Sequence, residues 1–168
     1  MPRGGRLIYA GAGTSGRIAA VDAAECASTF SMPAERVVAL VAGGTAASAL
    51  EQEAAEDDDG AGSRELEQLA PGPNDVVVGS SASGRTPYVL GAVRAARDAG
   101  SLTFALVCAP GSELAALADR AIEVVVGPEL VAGAPVGGER VDVRPVLGEL
   151  ALELGDGFLL RRDLDLDA

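Results

Sequence analysis

The sequence contains neither histidine nor lysine. Without imidazole there is no Ser-His-Asp triad, no histidine acid–base step and little prospect of a zinc site. Without an ammonium side chain there is no Walker-type phosphate-loop lysine and no Schiff base. Tryptophan is absent and aromatic residues are only 3%, so the core must be built from alanine, valine and leucine. Cys26 and Cys108 are far apart and lack metal-ligand spacing, which reads as two reduced thiols in a cytosolic protein. No apolar run is long enough to span a membrane, and the opening MPRGGRLIYAGAGTSG is too short and too glycine-broken for a signal peptide. The expectation is therefore a cytoplasmic protein with no membrane partner. The 13 basic residues, all arginine, face 25 carboxylates, for a net charge of −12, which excludes the basic face that a nucleic acid requires. Carboxylates, hydroxyls, arginines, tyrosines and thiols remain for chemistry.

With 168 residues, 48% of them hydrophobic, and 22 glycines, the chain can bury one ordinary core. Apolar runs alternate with helix-like segments, the pattern of a parallel sheet with crossover helices. Strands are expected at Arg6–Ala10, Arg36–Ala42, Asp75–Gly79, Leu102–Val107 and Ala121–Val126. Between the first two lie a loop, Gly11–Gly16, and a short helix from Arg17 to about Glu25. Thr45 is expected to cap a helix reaching about Glu56, Asp57–Gly62 to break it, and Ser63 to cap a second short helix. A helix over Thr86–Ala99 follows the third strand, and one capped by Ser112 ends near Asp119. Right-handed crossovers then give an α/β fold, a three-layer α/β/α sandwich around a five-stranded parallel sheet, with ligands beyond the carboxyl ends of the strands.

The segment from Asp75 to Tyr88, DVVVGSSASGRTPY, is the most informative. Three valines read as a strand buried on both faces, and a run of small residues then leads to Thr86 and Pro87, a helix N-cap and first position. Exposed amides, a helix N-terminus and the hydroxyls of Ser80, Ser81, Ser83 and Thr86 converge there, which suits a phosphate. The first strand delivers a similar loop, GAGTSGR, from Gly11 to Arg17, with Gly13, Thr14 and Ser15 at its centre. It matches the dinucleotide pattern G-x-G-x-x-G, but that site needs an acid at the end of the second strand to hold the ribose. The second strand ends in Val41, Ala42, Gly43 and Gly44, without a carboxylate. A small phosphorylated ligand between the two loops is the better fit, with Gly84 and Arg85 completing the second loop. Each loop taken alone is also explained as a tight strand-to-helix turn.

The blocks GRLIYAGAGTSGR, DAAECASTF, EQEAAEDD, DVVVGSSASGRTPYVLGAVRAAR and ADRAIEVVVGPE resemble the sugar isomerase (SIS) domain of bacterial N-acetylmuramic acid 6-phosphate etherases, over roughly Gly4 to Gly133. The resemblance implies a flavodoxin-like SIS fold, a homodimer, a phosphorylated amino sugar as ligand, and neither metal nor cofactor. It implies cleavage of the lactyl ether by elimination and water addition, as in recycling of cell-wall sugar. Its two glutamates fall on Glu25, the acid for the leaving lactate, and Glu56, the base at carbon 2. Without the resemblance both read as solvated helix-end charges, and Glu56 stands among five other carboxylates. Arg17 and Arg85 are either phosphate contacts or surface arginines. Tyr88 reads as packing and Asp22 as a solvated helix position.

The chain departs from the family at both ends. Family members are expected to carry a helical segment before GGRLIY, whereas this sequence opens almost directly on that block, and after Gly133 the family's T-G-S-T-R-L-K-A-G-T-A-Q-K is replaced by unrelated residues. Residues 1–133 are thus expected to form the phosphosugar-binding domain and 134–168 a divergent, poorly ordered tail, with Leu147–Leu154 as a short amphipathic helix and Phe158–Leu160 as a terminal strand or turn. A shortened or frame-shifted member of uncertain activity is one expectation. Its rivals are a non-catalytic phosphosugar-binding regulator and an aldose–ketose isomerase, the latter disfavoured by the lack of histidine.

Overall fold

The computed structural model describes residues 4–45 and 49–125, with side chains omitted at 49 and 50. Five parallel strands form the sheet among these residues: β1 Leu7–Gly11, β2 Val37–Val41, β3 Val76–Ser80, β4 Leu102–Val107 and β5 Arg120–Glu123. Their order is β2-β1-β3-β4-β5, that of a doubly wound, flavodoxin-like sheet. The expected strands are all present, each shifted by one or two residues at most within the described range. Val126, assigned in advance to the last strand, and the whole of residues 134–168 lie outside the described residues, as does the proposed boundary at 133.

The three valines of β3 are 4%, 0% and 0% exposed, as a strand covered on both faces must be. Alternate residues supply the two cores. Leu7, Tyr9, Val76 and Val78 face helix α1 (Gly13–Thr29), meeting Ala19 and Cys26. Ile8, Ala10 and Val77 face the other way, onto Leu66 of α3 (Asp59–Gln68) and Ala92 and Ala96 of α4 (Pro87–Asp98). Val89 and Val93 of α4 continue that core with Ala105 and Val107 of β4 and with Leu114 of α5 (Glu113–Leu117).

Two helix starts differ from expectation. Residues Gly11–Gly16 do not form a loop, since α1 begins at Gly13 behind an extended Ala12, whose carbonyl accepts from the Gly16 amide at 3.1 Å. Glycine, serine and threonine are poor helix formers in isolation, but here the glycines let the first turn press onto the sheet. A Cβ at Gly16 would come within 2.8 Å of the Gly11 carbonyl oxygen and of Val41 Cγ1. The helix also continues past Glu25 to Thr29, because Cys26 adds another buried position one turn after Asp22.

Asp58, not Ser63, caps α3, accepting from the Ala61 amide at 2.8 Å. Asp59–Gly62 are helical rather than a break, and Ser63 lies inside, donating to the Gly91 carbonyl at 3.0 Å. The glycines are there for close packing: a Cβ on Gly62 would meet the Tyr88 carbonyl oxygen at 1.9 Å, and one on Gly91 the Asp59 carbonyl oxygen at 2.0 Å. Helix α2 (Ala49–Glu56) precedes this pair and ends at Glu56. The expected Thr45 cap is not tested, since residues 46–48 intervene outside the described set.

Candidate functional site

Gly11 at the end of β1 pairs with Ser80 at the end of β3, so the two strands release their chains side by side. One chain enters α1 on one face of the sheet and the other reaches α4 on the opposite face. The crevice between such diverging connections is where open parallel sheets bind ligands.

The loop after β3 is held by its own hydroxyls. Ser81 Oγ, 3% exposed at residue level, accepts from the Gly84 amide at 3.1 Å and lies 2.9 Å from Thr86 Oγ1 and 3.4 Å from Ser83 Oγ. Ser83 Oγ accepts from the Arg85 amide at 3.3 Å. Gly84 has φ +62°, and a Cβ there would meet Ser112 Oγ at 2.1 Å, so both backbone conformation and space demand glycine. Thr86 stands at the N-cap position with Pro87 behind it, as expected, yet its hydroxyl does not cap α4. It donates instead to Glu56 Oε1 at 3.1 Å. With its proton committed to a carboxylate, Thr86 must accept from Ser81, giving a directed chain from Ser81 through Thr86 to Glu56.

Glu56 also faces the start of α1. A Cβ at Gly13 would lie 4.0 Å from Glu56 Oε2, and Gly13 itself has φ +51°. The half-buried carboxylate thus bridges the two loops, beside a helix end that carries partial positive charge. Next to it, Arg17 donates to Gln52 Oε1 and to Thr14 Oγ1, both at 2.8 Å, tying α1 to α2. Gln52 was not singled out from sequence; the available signal was one amide among the carboxylates of EQEAAEDD. Ser15 is half-buried in the first turn of α1, and Arg85 is exposed at the rim.

Glu25 is elsewhere. It is exposed on α1, roughly 18 Å down the helix axis from Gly13 at about 1.5 Å of rise per residue. The structure therefore brings together Gly13, Thr14, Ser15, Ser81, Ser83, Gly84, Arg85, Thr86 and Glu56 around one crevice, and does not bring Glu25 there within one chain.

Asp22 corrects the reading of a solvated helix position. It is 6% exposed and accepts from the Tyr9 hydroxyl at 2.8 Å, because its helix face is turned to the sheet. Burial and the Asp22 charge hold the Tyr9 hydroxyl protonated, far above its ordinary range. Burial, with the charges of Asp22 and Glu25, pushes the Cys26 thiol up to about 11. Burial also raises Cys108, so neither free cysteine is an activated nucleophile. Tyr88, fully buried, donates to Glu65 and serves packing between α3 and α4, as expected. Among the described residues, no helix is long and apolar enough to cross a membrane.

The family model of the glucokinase regulatory protein N-terminal SIS domain matches residues 2–97. The chain belongs to the SIS domain family. Within that family it resembles N-acetylmuramic acid 6-phosphate etherases, being 57% identical over 130 residues to the protein of Rubrobacter xylanophilus and 54% identical over 131 residues to that of a Jannaschia species. These alignments take in 77% and 78% of this chain but 43% and 42% of those proteins, so the chain spans less than half the length of the relatives it matches. Among solved structures, a ligand-bound protein of Escherichia coli has the same fold, with a TM-score of 0.60 at 23% identity over 90% of this chain and 69% of that one. Phosphoheptose isomerase from Neisseria gonorrhoeae superposes with a TM-score of 0.52 at 30% identity, covering 68% of this SIS chain and 59% of its own.

Proposed function

We propose that this SIS chain carries the catalytic module of an etherase that cleaves the D-lactyl ether of N-acetylmuramic acid 6-phosphate to N-acetylglucosamine 6-phosphate and D-lactate. The observation that carries the reading is Glu56, whose carboxylate accepts from Thr86 at 3.1 Å and so stands against the hydroxyl loop. A phosphate gripped by Ser81, Ser83, Gly84, Arg85 and Thr86, with Gly13, Thr14 and Ser15 opposite, would hold the sugar of such a substrate beside that carboxylate. Identity of 57% and 54% to named etherases supports the same substrate class.

In the proposed reaction Glu56 takes the proton from carbon 2, made acidic by the adjacent open-chain aldehyde. The carbon 3–oxygen bond then breaks, a carbon 2–carbon 3 double bond forms, and an acid, Glu25, gives its proton to the departing lactyl oxygen. Water then adds across the double bond: Glu25 takes a proton from the water whose hydroxyl joins carbon 3, Glu56 gives its proton back to carbon 2, and both carboxyls regain their starting states. Residues 1–133 are the module that does this, as a homodimer in the cytoplasm, and both thiols being free suits a reducing compartment. A second reading, a non-catalytic phosphosugar-binding regulator, draws support from the description of the matching family model.

Lactate release from N-acetylmuramic acid 6-phosphate by the purified chain separates the two. The expected result is turnover that falls by ~10²–10⁴-fold in Glu56→Gln while inorganic phosphate still binds. Phosphosugar binding without any lactate from the parent chain would favour the regulator.

A further inference from the structure

Arg17 is fixed beside the proposed base without a carboxylate of its own. Helices α1 and α2 run past each other in opposite sense: Gly13 stands against Glu56, and Arg17, one turn further along α1, against Gln52, one turn back along α2. Gln52 and Glu56 are neighbours on one face of α2, about 6 Å apart along its axis, so the guanidinium lies one turn from the carboxylate that abuts the hydroxyl loop. Its aim is set from both sides. Gln52 is 6% exposed and donates its amide nitrogen to the Gly44 carbonyl at 3.4 Å, which presents the amide oxygen to Arg17 Nη1. Arg17 Nη2 donates to the Thr14 hydroxyl oxygen, which leaves the Thr14 proton for a ligand. Arg6, Arg64, Arg94 and Arg97 each meet a carboxylate, whereas among the described residues Arg17 meets only neutral oxygens. These bonds engage two of its five N–H donors, and both Arg17 and Thr14 are exposed. A chain with 25 carboxylates and 13 arginines has no shortage of acidic partners, so a cation held on neutral acceptors keeps its charge for a ligand.

We infer that Arg17 reads the second anion of the substrate, binding the lactyl carboxylate while the hydroxyl loop holds the phosphate. That carboxylate hangs from the ether at carbon 3, next to the carbon 2 on which Glu56 acts, so it falls within reach of a cation one turn from Glu56. A guanidinium matches a carboxylate with two parallel N–H donors, and the Thr14 hydroxyl adds a third. Arg17 also offsets the repulsion between the lactyl carboxylate and Glu56, which would otherwise keep the two anions apart. The contact distinguishes substrate from product, because N-acetylglucosamine 6-phosphate keeps the phosphate and has no carboxylate for Arg17 to hold. Arg85, at the rim of the phosphate loop, has no part in this discrimination. The identity of the second anion rests on the etherase reading; the placement of Arg17 does not.

Calorimetric binding to the full chain tests this, in a Glu56→Gln background so that the ether survives the titration. Three ligands are compared: N-acetylmuramic acid 6-phosphate, the same sugar with its lactyl carboxylate converted to the carboxamide, and N-acetylglucosamine 6-phosphate. The acid should bind about 10–150-fold more tightly than the carboxamide, the worth of a hydrogen-bonded charge. Adding Arg17→Gln should abolish that preference and leave the affinity for N-acetylglucosamine 6-phosphate unchanged, which also shows that the variant is folded. Adding Arg85→Gln instead should weaken all three ligands alike and keep the preference. A preference that survives Arg17→Gln, or that disappears in Arg85→Gln, overturns the assignment, as does a chain that binds acid and carboxamide equally or binds neither. Equal loss of all three ligands in Arg17→Gln would make Arg17 a phosphate contact or a tie between helices, and overturns it as well. An Arg17-dependent preference in a parent chain that releases no lactate supports the carboxylate contact and sinks the etherase reading. Lactate release without any preference does the reverse, so the two failures are distinct.

Discussion

Ser81 and Ser83 stand two residues apart in one loop and carry different loads. Ser81 Oγ is buried, accepts from the Gly84 amide and hands a proton to Thr86, so removing it strands a buried donor and loosens the hydroxyl that orients Glu56. Ser83 Oγ contacts only the rim of the loop, through the Arg85 amide and at 3.4 Å from Ser81. Ser81→Ala should therefore lower unfolding stability by about 1–3 kcal/mol and weaken phosphate binding as well. Ser83→Ala should leave stability nearly unchanged and cost about 1.5–3 kcal/mol of phosphate affinity, the worth of a hydroxyl on a charged acceptor. Urea unfolding and phosphate titration of both variants would check this, and equal effects on stability would contradict the division of labour.

At the scale of elements, the amino ends of the neighbouring strands β1 and β3, away from the crevice, are joined by an ion pair. Arg6 enters β1 and Asp75 enters β3, and Asp75 accepts from the Arg6 amide at 2.7 Å, from Arg6 Nη2 at 2.8 Å and from the Gly72 amide at 3.0 Å. Burial by itself would raise the Asp75 carboxyl, but the Arg6 side chain, the two amides and the arginine charge outweigh it and hold the group below its ordinary range. A carboxyl depressed in the folded state contributes stability above its unfolded pKa and loses it as pH falls through the folded value. Stability should thus decline as pH drops below about 4, with Asp75→Asn about 1.5–3 kcal/mol less stable at neutral pH and flatter in acid. Unfolding measured across that range would reveal an unchanged acid slope if the clamp contributed nothing.

At the scale of the whole molecule, the strand order β2-β1-β3-β4-β5 sets both the location of the crevice and what it can hold. Gly11, Gly13 and Gly16 occupy the positions of a dinucleotide fingerprint and let α1 close on the sheet in the same way. Beyond β2, however, the chain reads Ala42, Gly43 and Gly44, and these three residues offer no carboxylate to grip a ribose. NAD at physiological concentration should therefore not bind measurably, and saturable binding by calorimetry in the micromolar range would overturn a crevice built for a small phosphorylated ligand.

The strands, their parallel sense and the small-residue loop after β3 were legible in the sequence, because period, β-branching and turn chemistry are local properties. The resemblance selected Glu56 from its crowd of carboxylates, but the hydrogen bond that aims it comes from Thr86, thirty residues on, and exists only once α3 and α4 have closed through Gly62 and Gly91. The start of α1 at Gly13 and the burial of Asp22 escaped local reading for the same reason. In each case contact with a distant element outweighs a propensity of a few tenths of a kilocalorie per residue. The separation of Glu25 from Glu56 belongs to this class, since sequence assigns the types of groups a reaction needs, while only the packed helix decides which of them can reach one substrate.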